Sequence, residues 1–162
     1  MAVILVENIK VIFLDFDGVL NSKHYFETHP SFGLAIDSTR LDLLKKIVFA
    51  TNAKIVLSTS WREHWNKKDA LCDNVGREIN RLFAGKRLTI FDKISGENKS
   101  RYEKIVDWLK THPNVADFVV LDDAPFEKDI LKDHFVLTSN LRDGLDEADV
   151  EKAIRILNGN NC

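Results

Sequence analysis

Four apolar runs constrain the fold of this chain more than any other feature: Val11-Ile12-Phe13-Leu14, Ile55-Val56-Leu57-Ser58, Leu88-Thr89-Ile90-Phe91 and Phe118-Val119-Val120-Leu121. A shorter run, Phe135-Val136-Leu137, follows them. Three of the runs are almost wholly apolar instead of alternating, which is what strands need when helices cover both faces of a parallel sheet. A half-exposed antiparallel sheet would show polar residues at every second position.

Segments with helical spacing lie between these runs. Leu41, Leu44, Ile47 and Val48 fall on one side of a helix, with Asp37 or Ser38 available near its start. Ile105, Val106, Trp108 and Leu109 form a second stripe after Asn98-Lys99-Ser100, and Val150, Ala153, Ile154 and Leu157 form a last one that Asn158-Gly159 stops. A further helix is expected from Val75 to Phe83. Right-handed crossovers join such an order most economically. The expected fold class is therefore α/β, a three-layer Rossmann-like sandwich around a central, mainly parallel sheet.

The 162 residues suffice for one domain, 1–162, which should bury roughly 70% of its extended-chain surface. A formal charge of -2 excludes a chain-wide basic field for nucleic-acid backbone but leaves a local basic groove open. Cys72 and Cys162 are a poor basis for a disulfide framework, so a reducing, cytoplasmic setting is expected. The apolar start, Val3-Ile4-Leu5-Val6, meets Glu7 too soon for an export leader, and no apolar stretch of about 20 residues suggests a membrane span. Residues 20–36 are long for a plain connection and contain Tyr25, Phe26 and His29, which points to a lid, a hairpin or a substrate loop.

Chemistry concentrates where the strands end. Asp15 and Asp17 close the first run, two residues apart, so an extended segment would direct both carboxylates to one side. Gly18 then permits a tight turn or a close approach to a ligand. Alone, Asp15-Phe16-Asp17-Gly18 reads equally as an acidic turn. Ser58-Thr59-Ser60 and Asp122-Asp123, however, follow two other strands, and open α/β sheets bind ligands at the carboxyl ends of their strands. Asp92-Lys93 ends a further strand. Carboxylates crowded in one crevice repel unless a proton or cation intervenes, and an all-oxygen set favours a hard cation such as Mg²⁺ over zinc.

These residues resemble the haloacid dehalogenase-like phosphohydrolase superfamily, and in particular a compact member with only small peripheral insertions. The likeness rests on Asp15-Phe16-Asp17-Gly18-Val19, Thr59, a basic residue at Lys99 or Arg101, and Asp122-Asp123, in that order. It implies a Mg²⁺-dependent phosphomonoester hydrolase in which Asp15 attacks phosphorus to form an aspartyl-phosphate and Asp17 serves as acid and then base. It also implies a metal held by Asp15, the Asp17 backbone carbonyl and Asp123, with Asp122 in support. Phosphate would meet Thr59 and Ser60, or Ser58 if the strand ended one residue earlier. Lys99 is the preferred phosphate cation and Arg101 its rival.

Arg62, His64, Tyr25 and Phe26 are candidates for substrate contact, whereas Trp61 and Trp65 read as packing residues. Lys67-Lys68 and Lys86-Arg87 read as surface charges. The resemblance leaves the substrate as a phosphorylated small molecule or a polynucleotide end, and oligomeric state open. Phosphoryl transfer to another acceptor, or a catalytically silent phosphate-binding module, would share the same residues.

Overall fold

A computed structural model of the protein describes residues 2–29, 33–125 and 129–160. Among them, five strands form one sheet in the order β3-β2-β1-β4-β5, every neighbouring pair parallel. The strands are β1 (Ile9–Leu14), β2 (Lys54–Leu57), β3 (Ile90–Lys93), β4 (Val115–Asp122) and β5 (Phe135–Leu137). The apolar runs thus form the sheet as expected, and the strand with two neighbours on each side, β1, is buried without interruption from Val11 to Leu14.

Alternation along the strands divides the core into two layers. Ile12 and Leu14 of β1, with Ile55 and Leu57 of β2, face α2 (Ser38–Thr51), α3 (Asn74–Gly85) and α5 (Glu147–Leu157). Val11, Phe13, Val56 and Val120 face α4 (Arg101–Lys110), through Ile105 and Trp108. Helices on both faces explain why these strands are apolar at every position.

Helix ends follow local chemistry. Asp37 caps α2 by accepting the Thr39 N–H at 2.9 Å. Ser100 and Glu103 form a reciprocal capping box at the start of α4, and Asp146 and Asp149 form another at α5. The cap at Ser100 makes Arg101 the first residue of α4 and leaves Lys99 outside the helix.

Residues 20–36 contain a short helix, α1 (Lys23–Thr28), which buries none of its residues. Residues 30–32, within that stretch, and Cys162 lie outside the described residues. The ends of the stretch are tied together, since the Asp37 N–H donates to the Leu20 carbonyl at 2.8 Å and Asn21 Nδ2 donates to the Ala35 carbonyl at 2.7 Å. Cys72 is buried and free. No helix of the described residues is long and apolar enough to cross a membrane.

Candidate active site

The ladder of β2, β1 and β4 continues one residue past the strands. Leu57, Leu14 and Leu121 lie in register, and beyond them the Ser58 N–H donates to Leu14 O at 2.9 Å while the Asp15 N–H donates to Leu121 O at 3.1 Å. Ser58, Asp15 and Asp122 therefore form one row across three adjacent strands. By the two-residue period of a strand they share the face of Val56, Phe13 and Val120, the face that α4 covers.

That row is buried and acidic. Asp15 is 4% exposed and Asp122 fully buried, and one oxygen from each of Asp15, Asp122 and Asp123 can be chosen so that all lie within 4.8 Å of one another. Burial first, and the neighbouring Asp122 carboxylate second, push the Asp15 carboxyl up to about 7 against the opposing pull of Arg101. Asp123 is raised for the same two reasons.

Arg101 supplies the cation. Its Nη1 lies 3.1 Å from Asp15 Oδ2 and 2.5 Å from Asp122 Oδ2. Burial opposes the guanidinium charge, but the two carboxylates outweigh it and hold Arg101 more firmly protonated. Lys99, the cation preferred from the sequence, has its Nζ ion-paired with Asp107. The capping box separates the two positions: it starts the helix at Arg101, whose guanidinium reaches Asp15 and Asp122, and leaves Lys99 before the first turn.

Gly18 is required by the acid cluster. It holds φ at +80°, and a Cβ placed there would come within 2.2 Å of Asp123 Oδ2. The turn after β1 is thus closed against Asp123 by a residue with no side chain. Thr138 Oγ1 fastens it further by donating to the Gly18 carbonyl at 2.7 Å.

Asp17 departs from the expected geometry. The strand ends at Leu14, and Val19 and Leu20 N–H groups both return to the Phe16 carbonyl, so the chain is turning by Asp17 and strand alternation no longer applies. The Asp17 carboxylate is exposed and stands outside the acid cluster. Asn21 Nδ2 donates to its Oδ1 at 3.0 Å and Trp61 Nε1 to its Oδ2 at 3.1 Å. Asn21, almost fully buried, also accepts the Gly18 N–H at 2.9 Å and so fixes the loop that carries both acids. Neither Asn21 nor this use of Trp61 was expected from the sequence.

The hydroxyls after β2 separate into different roles. β2 ends at Leu57, one residue before the apolar run does. Thr59 Oγ1 accepts the Trp61 N–H at 3.3 Å and caps a short 3-10 turn, Ser60–His64, while Ser60 is exposed. Ser58 is fully buried, and its Oγ is the buried side-chain polar atom left without a partner among the described residues. A buried hydroxyl without a partner is costly, and this one lies in the row of Asp15.

Other candidates are occupied elsewhere. Arg62 Nη1 donates to the Thr59 carbonyl at 2.9 Å and Nη2 meets Glu63 at 3.2 Å. His64 Nδ1 lies 2.6 Å from Asp73 Oδ2. The Tyr25 hydroxyl donates to Ile36 O at 3.4 Å and its ring stacks on His29, with Phe26 half-buried on the same short helix. Asp92 accepts Trp108 Nε1 at 2.9 Å, and Lys93 Nζ donates to the carbonyls of Arg62 and Trp65, so the pair ending β3 serves packing.

A comparison with protein families finds that residues 11–150 match the model described as the HAD domain in Swiss Army Knife RNA repair proteins. Searches among curated proteins and among solved structures gave no match.

Proposed function

Because the chain belongs to the family of HAD domains in Swiss Army Knife RNA repair proteins, we propose that it is a Mg²⁺-dependent phosphomonoesterase acting on polynucleotide ends through an aspartyl-phosphate. One observation carries the reading: the buried row of Asp15 and Asp122, joined by Asp123, gathers three carboxylates around the guanidinium of Arg101 beside the Ser58 hydroxyl, which has no partner among the described residues.

The residues fit a divalent cation. Three close carboxylates, two of them raised in pKa by burial and then by the neighbouring Asp122 carboxylate, offer an all-oxygen donor set whose repulsion a hard cation relieves. Asp15 and Asp123 would hold it, joined by the Asp17 backbone carbonyl, with Asp122 in support through its contacts to Arg101 and the Ala124 N–H. When bound, Mg²⁺ would neutralise charge on the transferring phosphoryl group.

The chain's own groups account for the remaining steps. An Asp15 carboxylate oxygen attacks phosphorus as the ester P–O bond breaks, and the Asp17 carboxyl gives its proton to the departing oxygen. Asp17, now a carboxylate, takes a proton from water as that water attacks phosphorus, which frees phosphate and restores Asp15. Trp61 Nε1 and Asn21 Nδ2, one on each carboxylate oxygen, orient Asp17 during both steps. Arg101 can exchange its contact to Asp15 for phosphate oxygens, and Ser58 Oγ can donate to the same group.

A phosphate-release screen with and without Mg²⁺ tests the reading, comparing nucleotides, 3′- and 5′-phosphorylated oligonucleotides, sugar phosphates and phosphopeptides, with Asp15→Asn as control. Preference for an oligonucleotide terminus is the expected result. A small-metabolite preference would overturn the substrate, and undiminished turnover by Asp15→Asn would overturn the mechanism.

A further inference from the structure

Away from the acid row, the edge of the sheet carries the opposite charge. A groove of about 560 Å³ lies between the last turn of α2 and the chain entering β3. Lys54, Lys67 and Arg87 line it, together with Phe49 and Phe91, and no Asp or Glu does. No ion pair engages these three cations among the described residues. Phe49 is 60% exposed, with Lys45 Nζ 5.1 Å from its ring centroid, and Lys67 Nζ lies 5.0 Å from that of Phe91.

The geometry points to this groove as a binding track for single-stranded polynucleotide, engaging the strand several nucleotides away from the terminus held at Asp15. The inference rests on the polynucleotide-end reading above. Unpaired cations without an intervening carboxylate suit a phosphate backbone. Aromatic faces beside them suit bases, which stack with little regard to sequence. A peptide of Asp and Glu alone would satisfy the cations but would offer Phe49 and Phe91 no aromatic partner.

One chain segment runs from the site to the groove. Trp61, which holds Asp17, begins the segment leading to Trp65 and Lys67, and both of these line an adjoining groove of about 250 Å³. Lys67, Leu88, Thr89 and Ile90 line both grooves. Lys54 precedes Ser58 by four residues, about 13 Å along the sheet, and β3 lies two strand spacings, about 10 Å, from β1. The separation of about 16 Å corresponds to about five stacked nucleotides at ~3.4 Å each.

The test uses the full chain and phosphorylated single-stranded RNA of graded length, with a small phosphate ester as the short limit. KM should fall once the strand exceeds about five nucleotides. A variant carrying Lys54→Glu, Lys67→Glu and Arg87→Glu should lose that gain, on the order of 50-fold at physiological salt, while turnover of the small ester stays at the parent level. The slope of log affinity against log salt should fall by about two.

Phe49→Ala keeps every charge and should still weaken binding of the long strand. Fluorescence anisotropy with unphosphorylated RNA reads the groove even if the chain hydrolyses nothing, so failure of the track and failure of the phosphatase reading are distinguishable. Parent-level RNA affinity in the triple variant would overturn the inference. So would binding of poly-glutamate as tight as that of RNA of equal charge.

Discussion

The carboxyl end of the sheet and its β3 edge solve opposite electrostatic problems in one small domain. At the carboxyl end, Asp15, Asp122 and Asp123 crowd within 4.8 Å, and Arg101 reaches Asp15 and Asp122 from α4. At the edge, Lys54, Lys67 and Arg87 line an open groove with no carboxylate. The first region is buried, where charges interact strongly and pKa values move; the second is open, where water and salt screen them. A formal charge of -2, taken over the whole chain, describes neither region. On the proposed reading, the buried acids break the bond and the exposed cations hold the strand.

The sharpest way to break that division is Asp15→Asn. It keeps the side-chain shape but removes the nucleophile, so phosphate release should fall on the order of 10³-fold or more while RNA affinity at the edge stays intact. Kinetics and anisotropy on one preparation check both halves. Loss of both together would mean that the two regions are not separable.

Next in size is the exchange of cations. Arg101→Lys should cost about 100-fold in kcat/KM, because a single ammonium cannot span Asp15, Asp122 and phosphate. Lys99→Ala removes only an exposed pair with Asp107 and should leave turnover near the parent value. Equal effects from the two variants would contradict the assignment of Arg101.

Ser58→Ala separates binding from stability. Removing an unpartnered buried hydroxyl should leave thermal stability unchanged or raised, yet raise KM about tenfold through the lost donor to phosphate. A drop in Tm with unchanged KM would assign Ser58 to the core alone. The smallest effect is expected at Trp61→Phe, which retains an aromatic ring but removes the Nε1 donor to Asp17. A loss of about 1 kcal/mol, roughly fivefold in kcat, is expected, with little change in binding of a phosphate ester.

Much of the fold was legible in the sequence because burial writes itself into composition. β1 and β4 are apolar where helices cover both sheet faces, and Ser100 with Glu103 marks a helix start three residues apart. The acid row was legible because Asp15 and Asp122-Asp123 directly follow such runs. Side-chain direction beyond a strand was not: strand alternation predicted Asp17 beside Asp15, but the chain turns after Leu14 and gives Asp17 to Trp61 and Asn21.

α1 escaped notice because a short helix with no buried residue leaves no apolar period. That Arg101 and not Lys99 meets Asp15 and Asp122 depended on which residue the Ser100 cap makes first in the helix. The basic groove was least visible of all. Lys54, Lys67 and Arg87 are far apart in sequence and meet where β2 and β3 pair.

The most direct measurement is a rapid-quench experiment on the Asp17→Asn protein with p-nitrophenyl phosphate and Mg²⁺, followed by peptide mapping by mass spectrometry. The leaving group needs no proton, so Asp15 should be phosphorylated quickly and released slowly. The expected result is a burst of nitrophenol matched by one phosphoryl group on the peptide that carries Asp15, absent from the double variant that also carries Asp15→Asn. Steady turnover without a burst, or a phosphoryl group on any other residue, would contradict Asp15 as the nucleophile.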